Sequence, residues 1–237
     1  MKILLTLIIS LSAFGFDHSH SGLSDILFKY TSIKNKQTSI DYSGIMKSKG
    51  LDKYLKTLEE LKKSDFKKFS KNEKLAFWIN TYNAYTIKLI INNYPVKSIK
   101  SIGGWFSSPW KIKFIKLFGK KISLDMIEHQ IIRKKFDEPR IHFAVNCAAK
   151  SCPKIMNKAW TEGNIQRYLT KQTKAFLANS THNKITADKL ELSKIFDWYG
   201  KDHPWFPATH SDENDAAERC AAGCNTRQHF VGGGAFD

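Results

Sequence analysis

The sequence has no apolar run long enough to cross a membrane, and it has little arginine. Its longest apolar stretch, residues 3–11, is shorter than the roughly 20 residues that a membrane-spanning helix needs. Proteins that bind nucleic acid usually carry clustered arginines, whereas the positive charge here comes almost entirely from lysine. We therefore expect neither a transmembrane span nor a nucleic-acid partner.

The first residues have the pattern of a secretory signal peptide. Lys2 supplies a positive charge, residues 3–11 an apolar segment, and residues 13–15 a small-x-small cleavage site. No cysteine lies at that site, which argues against a lipid anchor. The prediction is a leader over residues 1–15 and a periplasmic or secreted product, in a compartment that permits disulfides.

Cleavage after Gly15 would leave Phe16-Asp17-His18 as the new N-terminus. A free amine, two amide nitrogens and a third-position imidazole form a square-planar set suited to Cu(II) or Ni(II). His18 is therefore a candidate metal ligand, on the condition that cleavage occurs at this position.

The net charge of +16 is unevenly distributed along the 237 residues. Scattered lysines indicate a solvated surface, and weak association with anionic surfaces is the alternative. No lysine follows Lys201, where Ala, Gly, Asp, Glu and His take over. We predict one domain over residues 16–201 and an atypical tail over residues 202–237, disordered or non-native, whose Cys220 and Cys224 we set aside.

Helices and strands are mixed in the sequence without repeats and without a regular β-α-β alternation. The clearest helix begins at a Ser70–Glu73 capping box and continues to about Ile91, and a second follows Ser123. Further expected elements are a strand over 140–145, a helix over 162–177, a hairpin over 185–192 and a last helix over 193–199. This pattern predicts a helix-rich α+β single domain with a small antiparallel sheet.

Two cysteines lie five positions apart directly after the expected strand. Cys147 and Cys152 share a loop of small residues that ends at Pro153. One interpretation is that the loop presents a reactive thiolate, with Cys147 slightly favoured as the nucleophile. The other is that the two cysteines form a short disulfide.

Polar residues elsewhere could assist a thiolate nucleophile. His142 would share a strand face with Asn146, beside the first cysteine. Glu128 would lie at the edge of an apolar helix stripe and needs a partner, and His129 would be a hydrogen-bonded structural residue or a base. Two amides, in Asn80 and Asn83, fall in the most apolar helix, where they would brace backbone or line a polar cleft. The candidate catalytic set is Cys147, Cys152, His129, His142, Glu128, Asn80 and Asn83.

Five segments together resemble the family called domain of unknown function 547. The segments are FWINTYNA (77–84), ISLDMIEH (122–129), PRIHFAVNCAAKSCP (139–153), FDHS (16–19) and IFDWY (195–199). The likeness covers roughly residues 16–201 and implies a fold more than an activity. Members normally continue with further sequence after the last motif, and this chain departs from them after Lys201.

Three functions are consistent with these residues. The first is an exported thiol hydrolase or acyltransferase with papain-like or transglutaminase-like chemistry, which acts on a peptide or small molecule without a cofactor. Apart from His182 and the tail, the histidines precede the cysteines, so this mechanism would need a permuted arrangement. The second is a non-enzymatic exported binding domain with a Cys147–Cys152 disulfide. The third is a metal site, for which the Cys-x-x-x-x-Cys spacing is loose.

Overall fold

The computed structural model describes residues 15–34, 37–103, 108–149, 151–186, 189–202 and 227–230. The predicted leader, apart from Gly15, lies outside these residues, as does most of the predicted tail. No helix in the described part of the chain is both long and apolar enough to cross a membrane.

The architecture is a helix-rich α+β fold, as predicted from the sequence. The helices are α1 (Ser21–Tyr30), α2 (Tyr42–Ser48), α3 (Gly50–Glu60), α4 (Lys63–Lys68), α5 (Lys71–Asn92), α6 (Arg133–Lys135), α7 (Ile165–Leu177) and α8 (Lys194–Trp198). The strands are β1 (Thr31–Lys34), β2 (Gln37–Ile40), β3 (Ile115–Leu117), β4 (Lys120–Ile122), β5 (Lys184–Ile185), β6 (Lys189–Leu192) and β7 (Arg227–Phe230).

The strands form short, separate ladders instead of one sheet. Thr31 pairs with Ile40 in the β1–β2 hairpin, and Ile115 pairs with Ile122 in the β3–β4 hairpin, both antiparallel. In the third ladder β6 lies between β5, which is antiparallel to it, and β7, which is parallel to it. The 185–192 hairpin is thus present, and β7 shows that part of the predicted tail pairs with the domain.

The long helix α5 forms the centre of the main hydrophobic core. At its start the Ser70 hydroxyl accepts a hydrogen bond from Glu73 N (3.1 Å), and Ser70 N donates to Glu73 Oε2 (2.7 Å). This confirms the predicted capping box. Nearly every residue from Leu75 to Ile90 is buried, because other elements pack around most of the helix.

The strand predicted over 140–145 is wrong. A 3₁₀-helix, Pro139–Phe143, occupies this place. Pro139 lies in its first turn, where the missing N–H of proline costs no helical hydrogen bond. The Glu138 carboxylate accepts a hydrogen bond from Arg140 N (3.2 Å) and so caps the start of the helix. These local start signals outweigh the β-branched and aromatic residues that follow, so His142 and Asn146 do not share a strand face.

The helix predicted after Ser123 contains a seven-residue π-helix. Ser123 Oγ accepts a hydrogen bond from Met126 N (3.2 Å), which supports the predicted start. The chain then winds as a π-helix over Met126–Ile132 before α6 continues it. This winding is rare and often found at functional sites. Its polar residues are Glu128, His129 and Gln130.

Candidate functional site

The loop that carries the two cysteines is fixed by two asparagine side chains. Asn83, buried on α5, donates from Nδ2 to Ala144 O (3.0 Å) and accepts at Oδ1 from Asn146 N (2.8 Å). Asn146 in turn donates to Pro153 O (2.7 Å) and accepts from Ala148 N (3.0 Å). The two ends of the loop are therefore tied to each other and to the central helix.

Cys147 and Cys152 form a disulfide, with an S–S distance of 1.96 Å and a Cα–Cα distance of 6.0 Å. Cys152 is buried and Cys147 is partly exposed. In this oxidised form neither sulfur is the thiolate that nucleophilic catalysis requires. The disulfide alternative drawn from the sequence is the form that the structure adopts, and catalysis by either cysteine stays a prediction for the reduced protein.

A cavity of about 250 Å³ lies beside the disulfide, and we call it the disulfide cavity. Its walls come from β2, from the cysteine loop and the segment after it, and from the turn after α7. The residues that define it chemically are Tyr42, Asn146, Cys152, Lys154, Ile155 and His182. The Thr38 hydroxyl donates to Ile155 O (3.1 Å) and so joins β2 to the opposite wall.

His182 is the histidine that lines this cavity. Its ring stacks on Phe176, with centroids 5.0 Å apart, and its backbone N–H donates to Asn179 O (2.9 Å). Burial lowers the pKa of His182, and the nearby Lys154 charge lowers it further. The sequence singled it out only as a histidine that follows both cysteines. Neither His129 nor His142 is among the described residues that line the cavity.

His142 belongs instead to a partly buried polar network, which we call the histidine network. It consists of Glu128, His129, Arg133, His142, Tyr199 and Asp202. The His142 ring stacks on Tyr199 at 3.8 Å, and its Nε2 lies 2.8 Å from Asp202 Oδ2. Burial lowers the pKa of His142, while hydrogen bonds from His142 and Arg133 lower that of Asp202. The carboxylate can only accept, so Nε2 of His142 carries the proton.

Arg133 links the two histidines of the network. Its Nε and Nη2 donate to the two oxygens of Asp202, at 2.5 Å and 2.9 Å. Its Nη1 lies 3.1 Å from Nδ1 of His129, and because a guanidinium cannot accept, this imidazole nitrogen must be the acceptor. His129 is therefore hydrogen-bonded in the structure, and a role for it as a base stays a prediction.

Glu128 has tyrosine partners, which supply the contact that the sequence predicted this carboxylate would need. The Tyr199 hydroxyl donates to Glu128 Oε1 (2.8 Å). The pKa of Tyr199 and that of the fully buried Tyr82 are raised, first by burial and then by the charge of Glu128. The nearby phenols therefore stay protonated and stabilise the buried carboxylate as donors.

Asn80 braces the backbone of Trp160. Its Nδ2 donates to Trp160 O (2.7 Å), and its Oδ1 accepts from Trp160 N (2.9 Å). This is the bracing role that the sequence analysis set beside the catalytic one, and Asn83 has the same role at Ala144 and Asn146. Stabilisation of an oxyanion by either amide would first require these hydrogen bonds to break.

His18, the candidate metal ligand, already has a partner in the described structure. Its Nδ1 lies 2.9 Å from Glu73 Oε1, and its ring lies 4.3 Å from that of Phe69. Within the described ranges no group of three or more His, Cys, Asp or Glu residues could hold a metal ion. A site at a new N-terminus stays a prediction, and it would compete with the Glu73 contact.

The fold and this site define a helix-rich α+β domain with a disulfide-closed loop beside a small cavity. The sequence model of the family described as "Protein of unknown function, DUF547" matches residues 66–177. The chain therefore contains a domain of that family, from α4 to the end of α7. His182, Tyr199 and Asp202 lie beyond the matched range. No curated protein and no solved structure matches the chain.

Proposed function

We propose that this chain is an exported, non-enzymatic binding domain whose cavity is built on the Cys147–Cys152 disulfide. The bonded sulfurs carry the proposal, because a disulfide stiffens a loop and removes the thiolate that a cysteine enzyme would need. Export is supported by Lys2 and the apolar residues 3–11, and a structural disulfide is best preserved outside the cytosol.

The loop is suited to binding because it is ordered before a ligand arrives. The disulfide and the hydrogen bonds of Asn83 and Asn146 together fix the wall of the disulfide cavity. A preformed wall reduces the entropy lost on binding. The cavity volume of about 250 Å³ matches a small molecule or a single side chain of a peptide.

The proposal is tested by the redox state of the two cysteines in the mature protein. A Cys220→Ser/Cys224→Ser background leaves only the relevant pair, and the protein is purified without reductant. We expect an intact mass about two daltons below that of the dithiol and no labelling by iodoacetamide. A Cys147→Ser variant in the same background, which must retain one free thiol, is the control for labelling. Two free thiols in the untreated protein would contradict the proposal.

A thiol hydrolase or acyltransferase is the second candidate, and one observation favours it. Cys152 and the imidazole of His182 line the same cavity, and the lowered pKa of His182 leaves its ring able to accept a proton. In this candidate, a dithiol reductant would return both cysteines to thiols and would itself become a disulfide. His182 would then take the Cys152 proton, the thiolate would attack an acyl carbon, and the imidazolium would give the proton to the leaving group. Water would finally hydrolyse the thioester and restore the thiol.

This second candidate predicts a reactive thiol in the reduced protein. After reduction, labelling by iodoacetamide should be fast below about pH 7, and His182→Gln should move that labelling to higher pH. Labelling with the pH dependence of an ordinary thiol, unchanged in the variant, would exclude the candidate. The binding proposal predicts that ordinary behaviour.

A further inference from the structure

The lining of the disulfide cavity differs in charge from that of the larger cavities of the domain. Two larger cavities, of about 440 and 430 Å³, are lined by both carboxylates and lysines. Asp17 and Asp25 line the first, and Asp137, Glu138 and Asp202 line the second. The described residues around the disulfide cavity include Lys154 and His182 but no carboxylate. A ligand there meets a positive field without a built-in counter-ion.

The Lys154 backbone and the His182 ring are each held in place by their surroundings. The Lys154 carbonyl accepts a hydrogen bond from Gln172 Nε2 (2.6 Å), so this backbone is fixed against α7. The ring of His182 is fixed by its stack on Phe176. The two residues also line a second, small recess of about 10 Å³, which shows that they are neighbours.

From this arrangement we propose that the disulfide cavity binds a small oxyanion, a carboxylate or phosphate group, between the Lys154 ammonium and the His182 imidazole. The proposal deepens the binding function above, since it names the ligand class of the same cavity. Ile40, Pro153 and Ile155 supply apolar walls, so a short carboxylate with an apolar body fits best. At about 30 Å³ for each water displaced, the volume admits a ligand of a few heavy atoms.

The proposal requires binding to depend on pH in one direction. Burial and Lys154 hold the pKa of His182 below its ordinary value, so without a ligand the ring is neutral at pH 7. A bound anion favours the imidazolium and raises that pKa. Binding therefore takes up a proton, and affinity must increase as the pH falls.

Nuclear magnetic resonance of the oxidised, full-length protein tests this directly. The His182 ring signals are followed while acetate, inorganic phosphate or acetamide is added at constant ionic strength. We expect acetate to bind and the isosteric neutral acetamide to bind at least about tenfold more weakly. Phosphate should compete with acetate if the site recognises only the negative charge. It should not compete if the apolar walls must also contact a carbon-containing group of the ligand.

Three variants separate this site from general surface charge. Lys154→Gln and His182→Gln should each weaken acetate binding about tenfold, a typical loss for one hydrogen bond to a charged group. Lys171→Gln on α7 removes an exposed lysine of the same charge and should leave binding unchanged. Any of three results would overturn the proposal. Acetate could bind no more tightly than acetamide, its affinity could fail to increase at lower pH, or its affinity could fall equally in all three variants.

Failure of the oxyanion proposal can be distinguished from failure of the proposed binding function. An intact disulfide without acetate binding would contradict the oxyanion proposal and would remain consistent with a binding function of the disulfide cavity. Free, reactive cysteines with acetate binding that depends on Lys154 would reject the non-enzymatic function, yet retain the oxyanion as the ligand class of the cavity.

Discussion

At the residue scale, the buried asparagines show why a polar residue in an apolar helix predicted either a structural or a catalytic role. Asn80 and Asn83 lie on one apolar helix, three positions apart, and each uses both ends of its amide on distant backbone. An amide that lines a catalytic cleft would give the same sequence pattern. Only the partners decide between the two roles, and those lie 61 to 80 positions away.

Replacement of Asn80 should therefore affect stability strongly. In Asn80→Ala the buried N–H and C=O of Trp160 lose their partners, and we expect the free energy of unfolding to fall by about 2–4 kcal/mol. Urea denaturation measures the change. Asn92→Ala, at the exposed end of the same helix, is the matched control and should change it by less than about 0.5 kcal/mol. Equal effects of the two would contradict the bracing role.

His20 should make the domain sensitive to mild acid. It is 3% exposed, its Nδ1 lies 2.8 Å from the Tyr54 hydroxyl, and burial lowers its pKa to about 4. The charge of Asp17 opposes this shift and His18 adds to it. The unfolded chain takes up the proton near pH 6.5, whereas the folded one does so only near pH 4. Stability from this residue is complete above pH 6.5 and falls by about 1.4 kcal/mol per pH unit down to pH 4.

The variant His20→Asn isolates this effect. Asparagine tolerates the left-handed backbone at this position, where φ is 49°, and its side chain does not titrate. Stability measured by urea between pH 4 and 7 should depend less steeply on pH in the variant. The same slope in both proteins would show that His20 titrates normally.

Some elements of this domain are determined by local sequence, and others depend on contacts between residues that are distant in the sequence. Helix α5 was predictable because Ser70 and Glu73 satisfy each other within one turn. The strand predicted at 140–145 is wrong because Glu138 and Pro139 are local signals that start a 3₁₀-helix. The π-helix Met126–Ile132 had no sequence signal, and its buried Glu128 is stabilised by Tyr199, 71 positions away.

The disulfide loop should contribute measurably to stability. A bridge between positions five apart closes a short loop, which corresponds to about 2 kcal/mol of lost chain entropy in the unfolded state. We expect Cys147→Ser/Cys152→Ser to lower the free energy of unfolding by that amount. Reduced wild-type protein should match the double variant in the same urea titration. Identical stability of oxidised protein and double variant would mean that the bridge does not hold the loop.

At the scale of the whole molecule, long-range hydrogen bonds join Asp202 to residues far earlier in the sequence. Asp202 lies one position beyond the domain boundary predicted from composition, yet it bonds Arg133 and His142, 69 and 60 positions earlier. The sequence offered no sign of this, because the boundary was set where lysine disappears. His182 likewise reaches the disulfide cavity only through the packing of the turn after α7.

Loss of the Asp202 charge should loosen this connection. In Asp202→Asn an amide faces the donors of Arg133 and His142, and we expect a loss of about 1–3 kcal/mol at neutral pH. Because the folded pKa of Asp202 is lowered, its contribution is present above about pH 4 and disappears in stronger acid. Urea denaturation should therefore show wild type and variant converging as the pH falls below 4. Asp137→Asn, an exposed aspartate, is the control, and a loss equal to that of Asp202→Asn would contradict the account.

Hydrogen–deuterium exchange of the oxidised and reduced protein tests most directly whether the disulfide forms a rigid wall of the cavity. We predict that reduction accelerates exchange over residues 144–155, which include the Asn146–Pro153 tie, and leaves the α5 amides unchanged. Exchange over residues 144–155 that is the same in both redox states would contradict the claim that the bridge builds this site.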